Sequence, residues 1–167
     1  MSILDIPLLS RIRRNHGLEH GTINLLSQRF PSRPLAGYST PGGFFILGDV
    51  PTEELREAVF QALVRMSNGE RTLALHAGCG TNYVVSGFVA GGLAWLGMAG
   101  ARNRRDQVER LPLAIALAIV GLIVSQPLGA VIQQRVTTSG DPGGLTVVDI
   151  FPIRFGRFGL HRVVTRN

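Results

Sequence analysis

Two long uncharged apolar runs, residues 83–100 and 111–130, dominate the hydrophobic pattern of the chain. Neither run contains an Asp, Glu, Lys, Arg or His. A helix rises about 1.5 Å per residue, so about 20 apolar residues cross a hydrocarbon core of about 30 Å. The residues between the runs, 101–110, are polar and include four Arg. The pattern therefore predicts a transmembrane hairpin of two helices joined by a polar turn.

Small residues recur within both runs of this predicted hairpin. Gly87 and Gly91 form a small-xxx-small pair in the first run, and Gly121 and Gly129 offer thin positions in the second. Such positions let helix backbones approach closely in lipid. We expect the helices to pack on each other, or on partners in a homo- or hetero-oligomer. The alternative, two buried helices of a soluble protein, fits less well because neither run has a polar face.

The residues before the hairpin alternate between helical and strand patterns. Residues 15–28 are helical in pattern and end at the Pro-rich stretch 31–34, and the apolar run 44–47 predicts a buried strand. Thr52 is a candidate cap for a second helix, which Asn68 and the following glycine end.

Three further segments resemble strands. Residues 71–76 alternate between apolar and polar positions, and residues 145–155 and 159–165 form two more candidates joined near Gly156. The fold class is therefore an α+β membrane protein, with a small α/β domain made from both chain ends. The predicted domains are an α/β domain over 1–82, the hairpin over 83–130 and a C-terminal β-hairpin over 131–167 that packs on the first domain.

Composition narrows the classes of function. Hydrophobic residues make up 45% of the 167 residues and mean hydropathy is +0.22, which excludes a disordered chain. The net charge of +6 comes from Arg without any Lys, and these residues form no stripe with interleaved aromatics, so we expect no nucleic-acid partner. The single cysteine, Cys79, excludes an internal disulfide.

The position of the charges bears on localisation. The Arg-bearing turn favours a cytoplasmic loop by the positive-inside rule, whereas the N-terminus has no recognisable signal peptide to export the preceding residues. We predict a bacterial inner-membrane protein, in contact with lipid, whose soluble part is cytoplasmic.

The candidate chemistry begins in the stretch NHGLEHGTIN, residues 15–24. His16 and His20 are four residues apart, so a helix projects both from one face, and two imidazoles at that spacing can bind one Zn²⁺. Glu19 borders the same face and could take a proton from a water molecule on the metal. The H-x-x-E-H pattern resembles inverzincin metallopeptidases. The alternative is a helix whose histidines and glutamate only support the fold.

The second candidate stretch, LALHAGCGTN, covers residues 73–82. A catalytic zinc takes three protein ligands and one open position, which predicts a set of His16, His20 and His76, with Cys79 as the competing third ligand. Asn82, or alternatively Thr81, is the candidate donor to a developing oxyanion. The alternative is a structural turn in which Asn82 caps the following helix.

One further histidine stands apart from both stretches. His161, in the C-terminal segment, is a weaker candidate for a ligand or a substrate contact, because a lone histidine on a strand is more often structural.

Three motifs together resemble an uncharacterised bacterial family of small membrane proteins. They read HGLEHGTI at 16–23, GFFILGDVPT at 43–52 and HAGCGTN at 76–82, and the resemblance covers about residues 15–100. It implies membership of that family without an activity.

We therefore expect a membrane-anchored zinc-dependent hydrolase, most directly a metallopeptidase acting on a peptide or a membrane protein near the membrane surface. The alternatives are a non-enzymatic metal-binding or scaffold subunit of a membrane complex, and a redox or metal-transfer role for Cys79 beside His76.

Overall fold

The chain folds into two compact units. The computed structural model describes residue 4, residues 6–155 and residues 158–166. One unit, called here the sheet unit, combines Met1–His76 with Gln134–Asn167, and the other, the helical unit, is Ala77–Gln133. Helices and an antiparallel sheet occur together, so the predicted α+β class is confirmed.

The α-helices of the sheet unit, within the described residues, are α1 and α2. Helix α1 runs over Pro7–Arg29, and the proline lies at its start, where a missing N–H costs nothing. Helix α2 runs over Thr52–Ser67 and ends at Asn68, as predicted. Gly69 follows with φ of +96°, a conformation that glycine adopts without strain.

Four antiparallel strands form one sheet in the order β1-β2-β4-β3. The strands are β1 (Ala36–Thr40), β2 (Gly43–Leu47), β3 (Thr146–Phe155) and β4 (Phe158–Arg166). The predicted strands at 44–47, 145–155 and 159–165 are confirmed, and their predicted connection at Gly156 lies outside the described residues. Because β2 pairs with β4, the two chain ends share one sheet.

The hydrophobic core of the sheet unit lies between the two helices and the sheet. Each element contributes side chains with no measurable exposure: Leu18 and Leu26 from α1, Phe44 and Ile46 from β2, Leu55 and Val59 from α2, and Val163 from β4. Fully burying an apolar side chain of this size stabilises the fold by about 1.5–3 kcal/mol. This core fixes the position of α1, the helix that carries the paired histidines.

The predicted strand at residues 71–76 is wrong. The segment Arg71–Ala74 is a 3-10 helix. The side-chain amide of Asn24 on α1 donates to the backbone oxygens of Leu73 and Leu75, at 3.0 and 2.9 Å. These two carbonyls are therefore bonded to a side chain of α1 and not to a neighbouring strand. The alternation of apolar and polar residues over residues 71–76 cannot predict such a long-range hydrogen bond.

The predicted helix cap at Thr52 is also wrong. Pro51 is the N-cap residue of α2, and Thr52 is the first residue of the helix. The Thr52 hydroxyl instead shares a 3.1 Å hydrogen bond with His161 Nε2 on β4.

The helical unit contains α3 (Gly80–Gly97) and α4 (Arg104–Ile132). The Asn103 side chain caps α4 by accepting a hydrogen bond from the Asp106 backbone N–H at 2.9 Å. The polar turn is therefore shorter than the predicted 101–110, because most of those residues already belong to α4.

The two helices pack along a line of small residues. A Cβ built on Gly121 would lie 2.6 Å from the Ala90 Cα, and one on Gly97 would lie 2.9 Å from the Ala114 Cα. The expected role of Gly121 as a thin position is confirmed.

The small-xxx-small pair predicted for the first helix does not take part in this packing. A Cβ on Gly87 or Gly91 would meet no described atom within 4 Å, so Ala90 and Gly97 make the close approach instead. Composition identified the small residues, but the side of the helix that faces the partner depends on the tertiary packing.

One helical stretch, Arg104–Thr137, is long and apolar enough to cross a membrane. It combines α4 with a π-helical turn, Gln133–Thr137, and an 18-residue segment within it has a mean hydropathy of 2.3. Helix α3 is paired with α4 but does not meet this criterion within the described residues. The helical hairpin is present, whereas its crossing of the membrane by two spans stays a prediction.

Candidate functional site

His16 and His20 lie side by side on α1, as their spacing predicts. Their ring centroids are 4.3 Å apart, and a nitrogen of one ring lies within 4.8 Å of a nitrogen of the other. His20 is 1% exposed. Helix α1 packs on the hydrophobic core, so the backbone positions of both histidines are fixed.

His76 joins this pair from the segment after the 3-10 helix. Its ring centroid lies 5.6 Å from that of His20. His16, His20 and His76 are called the three-histidine cluster below.

Each ring of the cluster bonds an oxygen atom through Nδ1. His16 Nδ1 lies 2.9 Å from the Thr137 backbone oxygen, and His20 Nδ1 lies 2.8 Å from the Ala74 backbone oxygen. A carbonyl oxygen can only accept, so Nδ1 is the donor in both. When such a ring is neutral, the lone pair is on Nε2.

The third ring follows the same rule with a side-chain amide. His76 Nδ1 lies 2.8 Å from Asn24 Oδ1. The Asn24 amide nitrogen donates to the carbonyls of Leu73 and Leu75, which identifies the oxygen end of the side chain. His76 Nδ1 is thus also a donor, and the neutral ring has its lone pair on Nε2.

This pattern of hydrogen bonds is typical of metal-binding histidines. A ligating imidazole almost always donates its second ring N–H to a carbonyl or carboxylate, which fixes the tautomer and the ring orientation. Three neutral imidazoles suit Zn²⁺, and a three-histidine set leaves one coordination position open. His16 and His20, whose ring nitrogens lie within 4.8 Å of each other, are therefore the pair that could hold a zinc ion, and His76 as the third ligand stays a prediction.

Glu19 lies one residue before His20 but is enclosed by β1. It is 3% exposed, and the Ser39 hydroxyl donates a hydrogen bond to its carboxylate. A Cβ on Gly37 would lie 2.1 Å from Glu19 Oε1, so the strand backbone packs directly on the carboxylate. Glycine at this position makes the close approach possible.

Cys79 and Asn82 belong to the helical unit. Cys79 is buried and is the N-cap residue of α3, so the alternative in which Asn82 caps this helix is wrong. The Asn82 side chain donates to the Ala77 oxygen at 2.9 Å and accepts from Gln133 Nε2 at 2.7 Å. Its role as an oxyanion donor, and that of Cys79 as a metal ligand, stay predictions.

His161 is a buried histidine on β4, 4% exposed. Its Nε2 bonds Thr52, and its Nδ1 has no hydrogen-bond partner among the described residues. Burial lowers the pKa of His161 below its ordinary value, because the imidazolium loses hydration. These contacts indicate a structural histidine of the sheet unit.

Acidification should destabilise the fold through His161. Its pKa is lower in the folded chain than the 6.5 of an ordinary histidine, so the unfolded chain binds the proton more readily. Its contribution to the free energy of unfolding is present above pH 6.5 and is lost as the pH falls towards the folded-state pKa. Denaturant unfolding at several pH values should show a smaller acid loss in His161→Gln than in the wild type. An equal loss in both would contradict this account.

Sequence reasoning missed the partners that orient the cluster. Asn24 is four residues after His20, so the helical periodicity already placed it on the histidine face. Ala74 and Thr137 act through backbone oxygens, and no side-chain pattern marks such a role.

The fold and the cluster together define a class: an α+β protein with a helical hairpin and a cluster of three histidines. Residues 11–150 match the family described as "Domain of unknown function (DUF6391)", and the chain belongs to this family. Membership of an uncharacterised family is thus confirmed, whereas the resemblance to metallopeptidases stays a prediction.

One relative extends the comparison. The chain is 35% identical over 141 residues to an uncharacterized protein from Picosynechococcus sp. (strain ATCC 27264 / PCC 7002 / PR-6). The alignment covers 77% of this chain and 66% of the relative, so the chain spans about two thirds of that protein. No solved structure matches the chain.

Proposed function

We propose that this chain is a membrane-associated zinc-dependent hydrolase, most directly a metallopeptidase that acts on a peptide or a membrane protein near the membrane surface. The observation that carries the proposal is the shared hydrogen bonding of the three-histidine cluster. All three rings donate through Nδ1 to oxygen acceptors, which would leave the Nε2 atoms available as metal ligands.

The donor set favours zinc over hard cations. Calcium and magnesium take oxygen ligands, whereas imidazole nitrogens suit zinc and related transition metals. Bound zinc would supply a Lewis acid that lowers the pKa of water towards neutrality.

The third ligand has two candidates, His76 and Cys79. His76 is favoured by its closeness to His20 and by its bond to Asn24. Cys79 follows it by three residues in the sequence, and a thiolate there would donate charge and weaken the metal as a Lewis acid. Zinc affinity and spectra of His76→Ala and Cys79→Ser separate the two.

Glu19 is the proposed general base. Its position between the two histidines of α1 and the hydrogen bond from Ser39 hold the carboxylate in a fixed place. The carboxylate would accept the proton of the attacking water and return it to the leaving amine. Asn82 remains the proposed donor to the oxyanion.

The helical unit supports a membrane location. Large apolar side chains point outward from both helices, including Phe88 and Trp95 on α3, which are 80% and 72% exposed, and Ile123 on α4, which is 63% exposed. Exposed apolar surface of this extent indicates contact with lipid or with a partner. We place the protein in the bacterial inner membrane with its soluble part in the cytoplasm. Gly87 and Gly91 lie on the open side of α3, where a homo- or hetero-oligomer could pack.

A non-enzymatic metal-binding or scaffold subunit is the second candidate function. The burial of Glu19 against Ser39 and Gly37 favours this second function, because a carboxylate with these contacts would serve only to stabilise the fold.

Replacing Glu19 with glutamine separates the two candidates. The amide oxygen can still accept from Ser39, so the fold and the bound zinc should persist. Peptide hydrolysis should fall about 10²–10⁴-fold, the contribution of a positioned acid or base. Zinc content and cleavage of a quenched-fluorescence peptide library in detergent would be measured side by side, with Glu57→Gln as the control because Glu57 is an exposed acid on α2.

The possible outcomes point in different directions. Zinc in both proteins without peptide hydrolysis supports the second candidate, whereas equal hydrolysis by both contradicts Glu19 as the general base. A wild-type protein that binds no zinc contradicts the hydrolase and the metal-binding subunit, and leaves a scaffold without metal.

A further inference from the structure

A polar cavity of about 240 Å³ lies in the sheet unit, outside the three-histidine cluster. The lining residues that matter here are Arg13, Arg71, Thr72, Ala74, Ser139 and Asp141. Two guanidinium groups and one carboxylate line this cavity. Neither arginine forms an ion pair with any described residue.

The hydrogen-bond donors of the Arg13 guanidinium are only partly paired with acceptors among the described residues. Its Nη2 donates to the backbone oxygens of Arg135 and Thr138, both at 3.1 Å. Its Nε is buried and has no hydrogen-bond partner among the described residues. A buried donor without an acceptor is costly, so an acceptor supplied by a ligand would relieve a real penalty.

The cavity lies directly beside the cluster. Arg13 is three residues before His16 on α1, so the two side chains occupy neighbouring positions on one helix face. Ala74 lines the cavity and also supplies the backbone oxygen that His20 Nδ1 bonds. A group bound in the cavity would therefore be a near neighbour of the histidines.

We propose that this cavity binds a carboxylate group, the C-terminal or acidic side-chain carboxylate of a peptide. Guanidinium groups bind planar carboxylates through paired N–H donors. Asp141 offsets one of the two positive charges, and the remaining charge of one matches a monoanion better than a phosphate dianion. The carboxylate site stands by itself, whereas its use in anchoring a substrate for cleavage rests on the proposed zinc hydrolase.

The test uses the full chain in detergent, with zinc added and after chelation, and titrates acetyl-trialanine with a free C-terminal carboxylate. The ¹⁵N resonance of Arg13 Nε should shift on binding, with or without zinc. The amidated peptide, which lacks the charge, should not bind. Working without zinc separates this site from the proposed function, since either can fail while the other holds.

Two variants should weaken binding of the free carboxylate by about tenfold or more, the effect of losing a charge-assisted hydrogen bond. Arg71→Gln removes an exposed side chain, and Arg13→Lys keeps the charge but not the Nε donor. Arg105→Gln, on the exposed start of α4, removes the same charge elsewhere and should bind as the wild type. Equal binding of the amidated peptide, tighter binding of inorganic phosphate, or unchanged binding in Arg71→Gln would overturn the proposal.

Discussion

Replacing His20 with alanine should remove bound zinc from the protein. The ring is 1% exposed and lies next to both other members of the cluster, with centroids 4.3 Å from His16 and 5.6 Å from His76. His20→Ala would remove the proposed ligand that lies next to both of the others. The loss of affinity should therefore exceed the about 10–100-fold that follows from losing a partner that only orients a ligand.

Asn24→Ala gives that smaller effect for comparison. It leaves all three rings in place but removes the acceptor of His76 Nδ1. We expect zinc to bind with intermediate affinity. Zinc stoichiometry and affinity, measured by metal analysis and competition with a chelator, should rank wild type above Asn24→Ala and Asn24→Ala above His20→Ala.

His161→Ala is the matched control for loss of a buried histidine. His161 is 4% exposed and bonds Thr52 on α2, and it is not a member of the three-histidine cluster, so its loss should lower stability without changing zinc content. If His20→Ala retains zinc, or if His161→Ala loses it equally, the three-histidine site is wrong.

The features predicted from sequence are those governed by local patterns. The apolar run at 44–47 is a strand in the structure, although only Phe44 and Ile46 are buried and Leu47 is 39% exposed. The spacing of His16 and His20 places both rings on one face of α1. In each case the periodicity of a single element carries the information. The same logic identified Asn68 as the end of α2.

The features that failed depend on partners distant in sequence. Residues 71–76 alternate between apolar and polar positions, as in a strand. The Asn24 side chain donates hydrogen bonds to two of their carbonyls, and the segment forms a 3-10 helix. Thr52 looked like a cap, but its hydroxyl bonds His161. The periodicity of a short segment cannot predict hydrogen bonds to residues that are distant in sequence.

The candidate site also contains groups that the sequence predicts and groups that it does not. Its ring-bearing residues were predicted from their types and spacing, whereas the backbone oxygens of Ala74 and Thr137 that fix the tautomers were not. Any residue can supply a backbone oxygen, so its position emerges only from the fold.

Replacing Gly17 with alanine should disturb zinc binding without touching a ligand. A Cβ at Gly17 would lie 2.1 Å from the backbone oxygen of Ser139, closer than real Cβ contacts allow. Ser139 is docked on α1 through its N–H, which donates to the Arg13 oxygen at 2.9 Å. The added methyl group must push this segment away, and Thr137, which bonds His16 Nδ1, lies two residues earlier.

Two measurable effects follow from this displacement. Overpacking should lower the free energy of unfolding by about 1–3 kcal/mol, only partly offset by the about 1 kcal/mol that alanine gains over glycine in a helix. Zinc affinity should fall by about 10–100-fold, because His16 loses the acceptor that orients its ring. Denaturant unfolding and chelator competition measure the two effects separately.

Gly21→Ala provides the comparison on the same helix, one turn further along. A Cβ there would meet side-chain atoms of Ala62, Leu73 and Met66 at 3.2–3.3 Å, and these can shift by a few tenths of an ångström. Its zinc affinity should therefore stay near that of the wild type. If Gly17→Ala binds zinc as tightly as Gly21→Ala, the contact between Thr137 and His16 does not control the site. A selective loss in Gly17→Ala would instead indicate that a segment more than 100 residues away in sequence positions the first ligand of the cluster.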